Sequence, residues 1–395
     1  MRAITVDTLD DIARGAAVLG TGGGGDPYIG KLMAQASLRR HGDVSLLDPM
    51  ALGDDDLVVP TAMMGAPTVM VEKIPRGEEI VNAFKALETY LGQPVCATMS
   101  IEVGGLNSTT PFTVAAELGI PLVDADAMGR AFPELQMCIP TLSGVTATPM
   151  AIADEKGNSA VINTISNRWT ETLARSLTVD MGCAAMIAIY PMTGKQVKTT
   201  CVLNSMTFLE RIGRTIRQAR ERHHDPVDAV RAATAGYLIW RGKVSDVERR
   251  TVTGFARGEA TISGVDAHDG RELRIAFQNE FLLAHTGDTV LASTPDLITI
   301  LDDETGEPIT TEGLRYGYRV SVLAMPCDPR WRTPEGLAIV GPGYFGYDVA
   351  YVPIEERVRR TLTPLPPSPI AMGEGGAAEE FEELEEFEEF EESRR

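Results

Sequence analysis

Four short stretches gather residue types able to move protons or hold a polar ring. The first is the run Gly22, Gly23, Gly24 and Gly25, followed by Asp26 and Pro27. Glycines lack Cβ, so backbone N–H groups there can approach a ligand closely, and a helix opening at Asp26 adds further donors. Four consecutive glycines give up more backbone entropy than a tight helix–helix turn requires, which favours a ligand. The second stretch, Ser100-Ile-Glu-Val-Gly-Gly-Leu-Asn107, sets the Glu102 carboxylate and the Asn107 amide beside two glycines. The third holds Asp124 and Asp126 two residues apart, then Arg130. On an extended strand the two aspartates share one side. Paired carboxylates push one pKa up and serve as acid and base, or hold a divalent cation. Arg130 offers a planar fork for a substrate carboxylate; the competing assignment pairs it with Asp124. The fourth stretch places Gln278, Asn279 and Glu280 after Phe277 in an apolar strand context, which implies a site or a bulge.

Cys183 is the alternative, nucleophilic centre, although its Ala, Met and Ile neighbours suit an inert core cysteine better. The five histidines form no HxH or HxxxH pair, so a His-ligated metal is not expected. The glycine run follows a helical segment instead of a strand, which argues against a dinucleotide fingerprint and leaves no cofactor expected. A GxxxxGK[ST] phosphate loop is absent from the sequence, which makes a nucleotide-dependent ligase or kinase a weak alternative.

These residues need elements to position them. Helical spacing runs from Thr8 to Leu19, then breaks at the glycines, and Asp26-Pro27 reads as a cap and first turn of the next helix. Apolar runs at 44–47, 57–64, 95–99 and 121–123 alternate with helical stretches at 78–91 and 113–118. That alternation predicts an α/β N-terminal domain with a layered, mostly parallel sheet, over residues 1–167. Residues 150–154 and 159–163 read as a hairpin. Residues 168–361 are expected to hold a helical segment, at 203–222 and 227–235, and then a β-rich C-terminal domain. Its predicted strands lie at 251–255, 260–265, 273–277, 289–292, 297–300 and 319–324, with the strand character starting near Val247. Residues 362–395 are a Pro/Gly linker and a low-complexity acidic tail.

Composition narrows the function classes. Hydrophobic content of 44% and charged content of 23% belong to a globular chain of two domains. Net charge is −20, and the segment from Glu374 onward, with eleven Glu against two Arg, holds nine of those charges, leaving −11 on the body. An acidic body repels phosphate backbones, so nucleic-acid binding is not expected. The tail is expected to be a solubilising segment, the sharper alternative being a peptide that docks on a basic partner. No apolar run spans a bilayer, no secretory pattern opens the chain, and five scattered cysteines contain no CxxC. These features predict a cytoplasmic protein with no membrane association, and a homo-oligomer is the expected state.

The same segments, in the same order, resemble the S-methyl thiohydantoin desulfurase family. The resemblance rests on LGTGGGGDPYIG, EVGGLN, DADAMGRAFPELQM, FQNE and the later TPDLI, LRYGYRV and GPGYFGYD, between about Asp7 and about Pro353. Ala127 stands where the family pattern has Gly. The resemblance implies an enzyme that removes thiol or sulfide from a small five-membered thiohydantoin ring and leaves a hydantoin. It also implies an alternative, since family members accompany hydantoinase/oxoprolinase proteins: a non-catalytic accessory subunit. On chemical grounds Asp124 or Asp126 would activate water, with Glu102 as second carboxylate. Backbone amides of Gly22–Gly25 would hold the ring carbonyl and Arg130 a substrate carboxylate, beside Asp26, Asn107, Gln278, Asn279 and Glu280; attack by Cys183 would give a covalent route.

Overall fold

The computed structural model describes residues 1–25, 27–65, 69, 76–252 and 255–362. Asp26 and the acidic tail lie outside them. The strands of the first sheet are β1 (Arg2–Ile4), β2 (Val44–Leu47), β3 (Leu57–Gly65), β4 (Ala97–Ser100), β5 (Leu122–Val123), β7 (Met150–Ala153), β8 (Ser159–Ile162), β9 (Ala184–Ala188) and β10 (Met192–Thr193); a small separate ladder pairs β6 (Ala125–Asp126) with β11 (Val202–Leu203). Its longer helices are α1 (Thr8–Leu19), α2 (Pro27–His41), α3 (Glu78–Leu91), α4 (Thr110–Leu118), α5 (Asn167–Asp180), α6 (Ser205–Glu221), α7 (Pro226–Thr234) and α8 (Ile354–Leu362).

Strands β2, β5, β4 and β3 run parallel at the heart of an α/β sheet ordered β1-β2-β5-β4-β3-β9-β7-β8, with β10 on β3. Antiparallel strands complete it on both sides: β1 at one edge, β9, β7 and β8 at the other. The hairpin at 150–162 forms as its sequence predicts. Alternate residues of β3 enter different cores, as a period of two requires. Val58 and Ala62 join the core that contains Ile12, Leu209 and Ile212 of α1 and α6. Val59 and Met63 join Ile80, Phe84 and Leu87 of α3. The sheet is therefore covered on both faces. Helices α1 and α6 touch backbone to backbone, because a Cβ on Gly213 would lie 1.9 Å from the Asp11 carbonyl oxygen.

The second sheet is antiparallel throughout, in the order β16-β15-β14-β13-β12-β19-β17-β18. Its strands are β12 (Tyr237–Val252), β13 (Phe255–Gly264), β14 (Glu272–Gln278), β15 (Glu280–Thr286), β16 (Thr289–Ser293), β17 (Leu297–Asp302), β18 (Pro308–Ile309) and β19 (Arg319–Met325). Two expectations are corrected here. Strand character starts at Tyr237, ten residues before Val247, since Trp240 and Val244 face the core while neighbours stay partly exposed. The predicted strand at 251–255 is instead the junction of a hairpin, with Val252 facing Phe255 in register. Strand β15 was not anticipated: its first five residues are all buried, and a short apolar run lacks the alternation that marks a strand.

Candidate functional site

Glu102 and Asn107 follow β4 directly, at the C-terminal end of two parallel strands, where open α/β sheets bind ligands. The turn between them is pinned by the Ser100 hydroxyl, which donates to the carbonyls of Glu102 (2.6 Å) and Asn107 (2.9 Å). Asn107 Oδ1 accepts from the Met63 amide at 2.7 Å, and its Nδ2 donates to Glu102 Oε1 at 2.7 Å. The other oxygen of Glu102 accepts from the Phe132 amide at 3.2 Å. Glu102 is thus held by one residue from its own turn and one from the 124–137 motif.

The glycine run lies across this turn. Gly24 O accepts from the amides of Leu106 (2.9 Å) and Asn107 (3.1 Å). On its other side, Thr21 O accepts from Phe281 N at 2.7 Å and Gly22 O from Thr311 N at 2.9 Å, which attaches it to the second sheet. The glycines serve close packing. A Cβ on Gly23 would stand 2.1 Å from Glu280 Oε1, and one on Gly24, whose φ is +77°, would stand 2.3 Å from Gly104 Cα.

Glu280 opens β15 at a sharp corner. Asn279 adopts φ +58° between β14 and β15, and its side chain accepts from the Ala256 amide at 2.8 Å while its own amide donates to Ala256 O at 2.7 Å. The register slips at Ala276/Phe277, so the polar trio marks a bulged hairpin corner and not a strand interior.

Four motifs far apart in sequence therefore meet. Gly24, Gly25, Met63, Glu102, Asn107, Phe132, Glu134, Asn279 and Glu280 line one cleft, with about 50 Å³ of inner space within the described lining. Glu102 and Glu280 are buried carboxyls on its wall, and Glu280 Oε2 has no hydrogen-bond partner among the described residues. Burial pushes Glu102 up to about 7, against the opposing Asn107 and Phe132 donors. Burial, and then the nearby Glu102, push Glu280 well above the usual carboxylate range. Two buried carboxyls on one cleft cannot both ionise easily, the condition for dividing acid and base roles.

Stability should respond to pH accordingly. A carboxyl raised in the folded state binds more protons there than in the unfolded chain, between its ordinary value and its folded value. That contribution is fully present below the unfolded pKa and fades as pH rises from about 4.5 through about 7. Glu280→Gln should flatten the decline of melting temperature between pH 5 and pH 8. An unchanged slope would place the raised carboxyls elsewhere.

Other candidates are placed differently. Asp124 caps α6: its carboxylate accepts from the Thr207 amide (3.1 Å) and hydroxyl (2.5 Å). Asp126 meets the same first turn, beside Ser205, as alternate residues of an extended segment do. Asp126 lines a separate cavity, so neither aspartate shares the cleft with Glu102, although the Asp126 charge is near enough to help push Glu102 up. Burial raises Asp126 to about 7.

Arg130 is corrected from a substrate clamp to an internal tie. It is fully buried, and its guanidinium donates to the carbonyls of Pro295 (2.9 Å), Asp296 (2.8 Å) and Ala131 (3.1 Å) and to the Thr21 hydroxyl (2.9 Å). The cation lining the cleft is Arg175 of α5, which pairs with Glu171 at 2.8 Å and donates to Pro133 O at 3.0 Å. Sequence carried no signal for it beyond a Glu–Arg pair four residues apart. Gly22 and Gly23 lie off the cleft, and Gly23 N donates to Gly20 O at 2.8 Å, so of the four glycines Gly24 and Gly25 alone line it. Gln278 is buried at the end of β14 but off the lining. Cys183, with φ +66° after α5, lines neither cavity. Among the described residues no group of three or more His, Cys, Asp or Glu is placed to hold a metal ion. None of their helices is long and apolar enough to cross a membrane.

A layered α/β sheet joined to an antiparallel sheet, with a cleft lined by two buried carboxyls where they meet, defines an α/β protein of two sheets. Residues 7–164 match the S-Me-THD-like N-terminal domain and residues 165–354 the S-Me-THD-like C-terminal domain. The chain belongs to the S-methyl thiohydantoin desulfurase-like family. A crystal structure of a protein from Chromobacterium violaceum shares the fold, with a TM-score of 0.76 at 22% identity, over 90% of this chain and 100% of that one. No curated protein matches the chain.

Proposed function

We propose that the chain hydrolyses a thiohydantoin-like ring at the carbon bearing sulfur, releasing a thiol and leaving a hydantoin. The observation that carries this is the buried Glu102–Glu280 pair on one cleft wall, each carboxyl raised by desolvation. Glu102, the lower of the two, accepts a proton from water as its oxygen bonds to the amidine-like ring carbon. Glu280, still protonated, donates to the departing sulfur as the carbon–sulfur bond breaks. Water's second proton ends on the ring nitrogen, and the new oxygen becomes the carbonyl. Asn107 holds Glu102 in place, Gly24 and Gly25 supply close backbone approach to the ring, and Arg175 offers a cation to an acidic substituent.

The test is colorimetric thiol release from S-methyl thiohydantoins by the purified chain alone. We expect turnover without any added protein, one thiol per hydantoin. Activity that appears only when a hydantoinase is added would establish the accessory-subunit role instead. The pH profile is a second check. The value of kcat/KM should rise as Glu102 ionises, through about 7, and fall at higher pH as Glu280 loses its proton. An acidic limb near 4.5 would exclude Glu102 as the base.

A further inference from the structure

Strand β8 closes the first sheet, and among the described residues it pairs with β7 alone. Asp154 N donates to Asn158 O across that pair, and Ile162 O accepts from the Thr148 hydroxyl on the same side. The alternation of an antiparallel ladder therefore turns the N–H and C=O of Ser159 and Val161 outward. Open edges invite pairing with another chain, and proteins guard them with charge, proline, bulges or cover. The other outer strands are guarded. Strand β1 carries Arg2, β18 opens on Pro308, and α8 covers β16, where the Arg357 guanidinium donates to Val290 O at 2.9 Å. Strand β8, Ser159-Ala-Val-Ile162, has neither charge nor proline, and its register on β7 runs without a bulge.

Exposed apolar side chains flank this edge. Val161 shares a face of the chain with Asn163, whose amide donates to the Tyr90 hydroxyl on α3, and both Val161 and Tyr90 are exposed. Ile165 follows the strand and is 91% exposed; Trp169, 50% exposed, and Leu173 continue from it at intervals of four along α5. Arg175 marks the cleft side of α5 and Ala174 its core side, so Trp169 and Leu173 occupy the flank away from the cleft, toward β8. Contiguous exposed apolar surface of this kind marks an interaction site. Charge is scarce there. From Gly157 to Thr172 the charged residues are Arg168 and Glu171, and Glu171 is buried and paired with Arg175.

We propose that this edge docks a second copy of the chain, β8 against β8 in antiparallel register across a two-fold axis. A two-fold contact sets one patch against itself, and this patch is nearly uncharged on an acidic body, so two copies repel least when they meet here. The acidic tail is the competing occupant, but within residues 157–172 its glutamates would find one cation, Arg168. The surface lies away from the cleft, so the assignment holds whichever reaction the cleft performs.

The experiment is sedimentation velocity on full-length proteins: the wild type, Ile165→Asp with Trp169→Asp, Val161→Pro, and a tail variant with Phe381→Ser, Leu384→Ser, Phe387→Ser and Phe390→Ser. We expect a reversible dimer for the wild type and for the tail variant. Ile165→Asp with Trp169→Asp should raise the dissociation constant at least about 10²-fold, because each change counts twice across the axis and sets like charges face to face. Val161→Pro should raise it about tenfold or more, since proline removes an outward N–H and leaves the ladder to β7 intact. Circular dichroism checks each fold, and Ile165→Asp alone decides if another variant misfolds. A monomeric wild type, a dimer indifferent to either patch variant, or one lost only in the tail variant would overturn the proposal.

Discussion

Glu280→Gln should lower thiol release by at least about 10²-fold in kcat while leaving the fold intact, the usual scale for losing a general acid or base. The carboxamide matches the carboxylate in shape, so it keeps the close approach to Gly23 that a Cβ would obstruct. It also ends the exchange of a proton between two raised carboxyls, so the upper limb of the pH profile should disappear along with the rate. Glu102→Gln should be at least as damaging but is harder to interpret. Both Glu102 oxygens accept hydrogen bonds, from Asn107 and from Phe132, and an amide would turn a donor toward one of those donors. Cys183→Ala is the comparator and should leave kcat unchanged, since that side chain lines neither cavity. A dead Cys183→Ala with an active Glu280→Gln would replace water attack by a covalent route. Retained activity in Glu280→Gln with loss in Asp126→Asn would move the chemistry to the cavity that Asp126 lines.

The second large effect should be on stability. Arg130→Met is expected to destabilise the fold by about 3–5 kcal/mol, the range for removing one member of a buried charged network. Its guanidinium is shared between the loop at Thr21 and the backbone at Pro295 and Asp296, with the Phe132 ring 4.4 Å from its centre. Truncation strands these acceptors in a dry interior, against a total stability of only about 5–15 kcal/mol for a typical domain. Arg130→Lys should recover little, because one ammonium cannot span a fork of donors. The measurements are melting temperature and KM below the transition. A normal melting temperature with a raised KM would return Arg130 to the role of substrate clamp.

What the sequence determined by itself is local in origin. Glycine and proline punctuation, periods of 3.6 and of 2, and a chain of separate motifs were enough for the α/β layer, the β-rich second part and the family. They were also enough for Glu102, Asn107 and Glu280 as candidates, because polar residues beside glycines at a strand end, or grouped in an apolar strand context, stand out from their background. What only the tertiary structure decided is which candidates share a space. Asp124 and Asp126 looked like a pair because they are neighbours in sequence, yet α6 occupies one and the other lines a second cavity. Glu102 and Glu280 are 178 positions apart and meet because the glycine run bonds to both of their surroundings, through Gly24 and Thr21. The fate of Arg130 follows the same rule. An arginine in a motif has the same formula whether it faces a ligand or a ring of carbonyls, and burial alone separates the two roles. Spacing along the chain reports what one element presents; convergence of loops from two sheets depends on contacts that no single segment encodes.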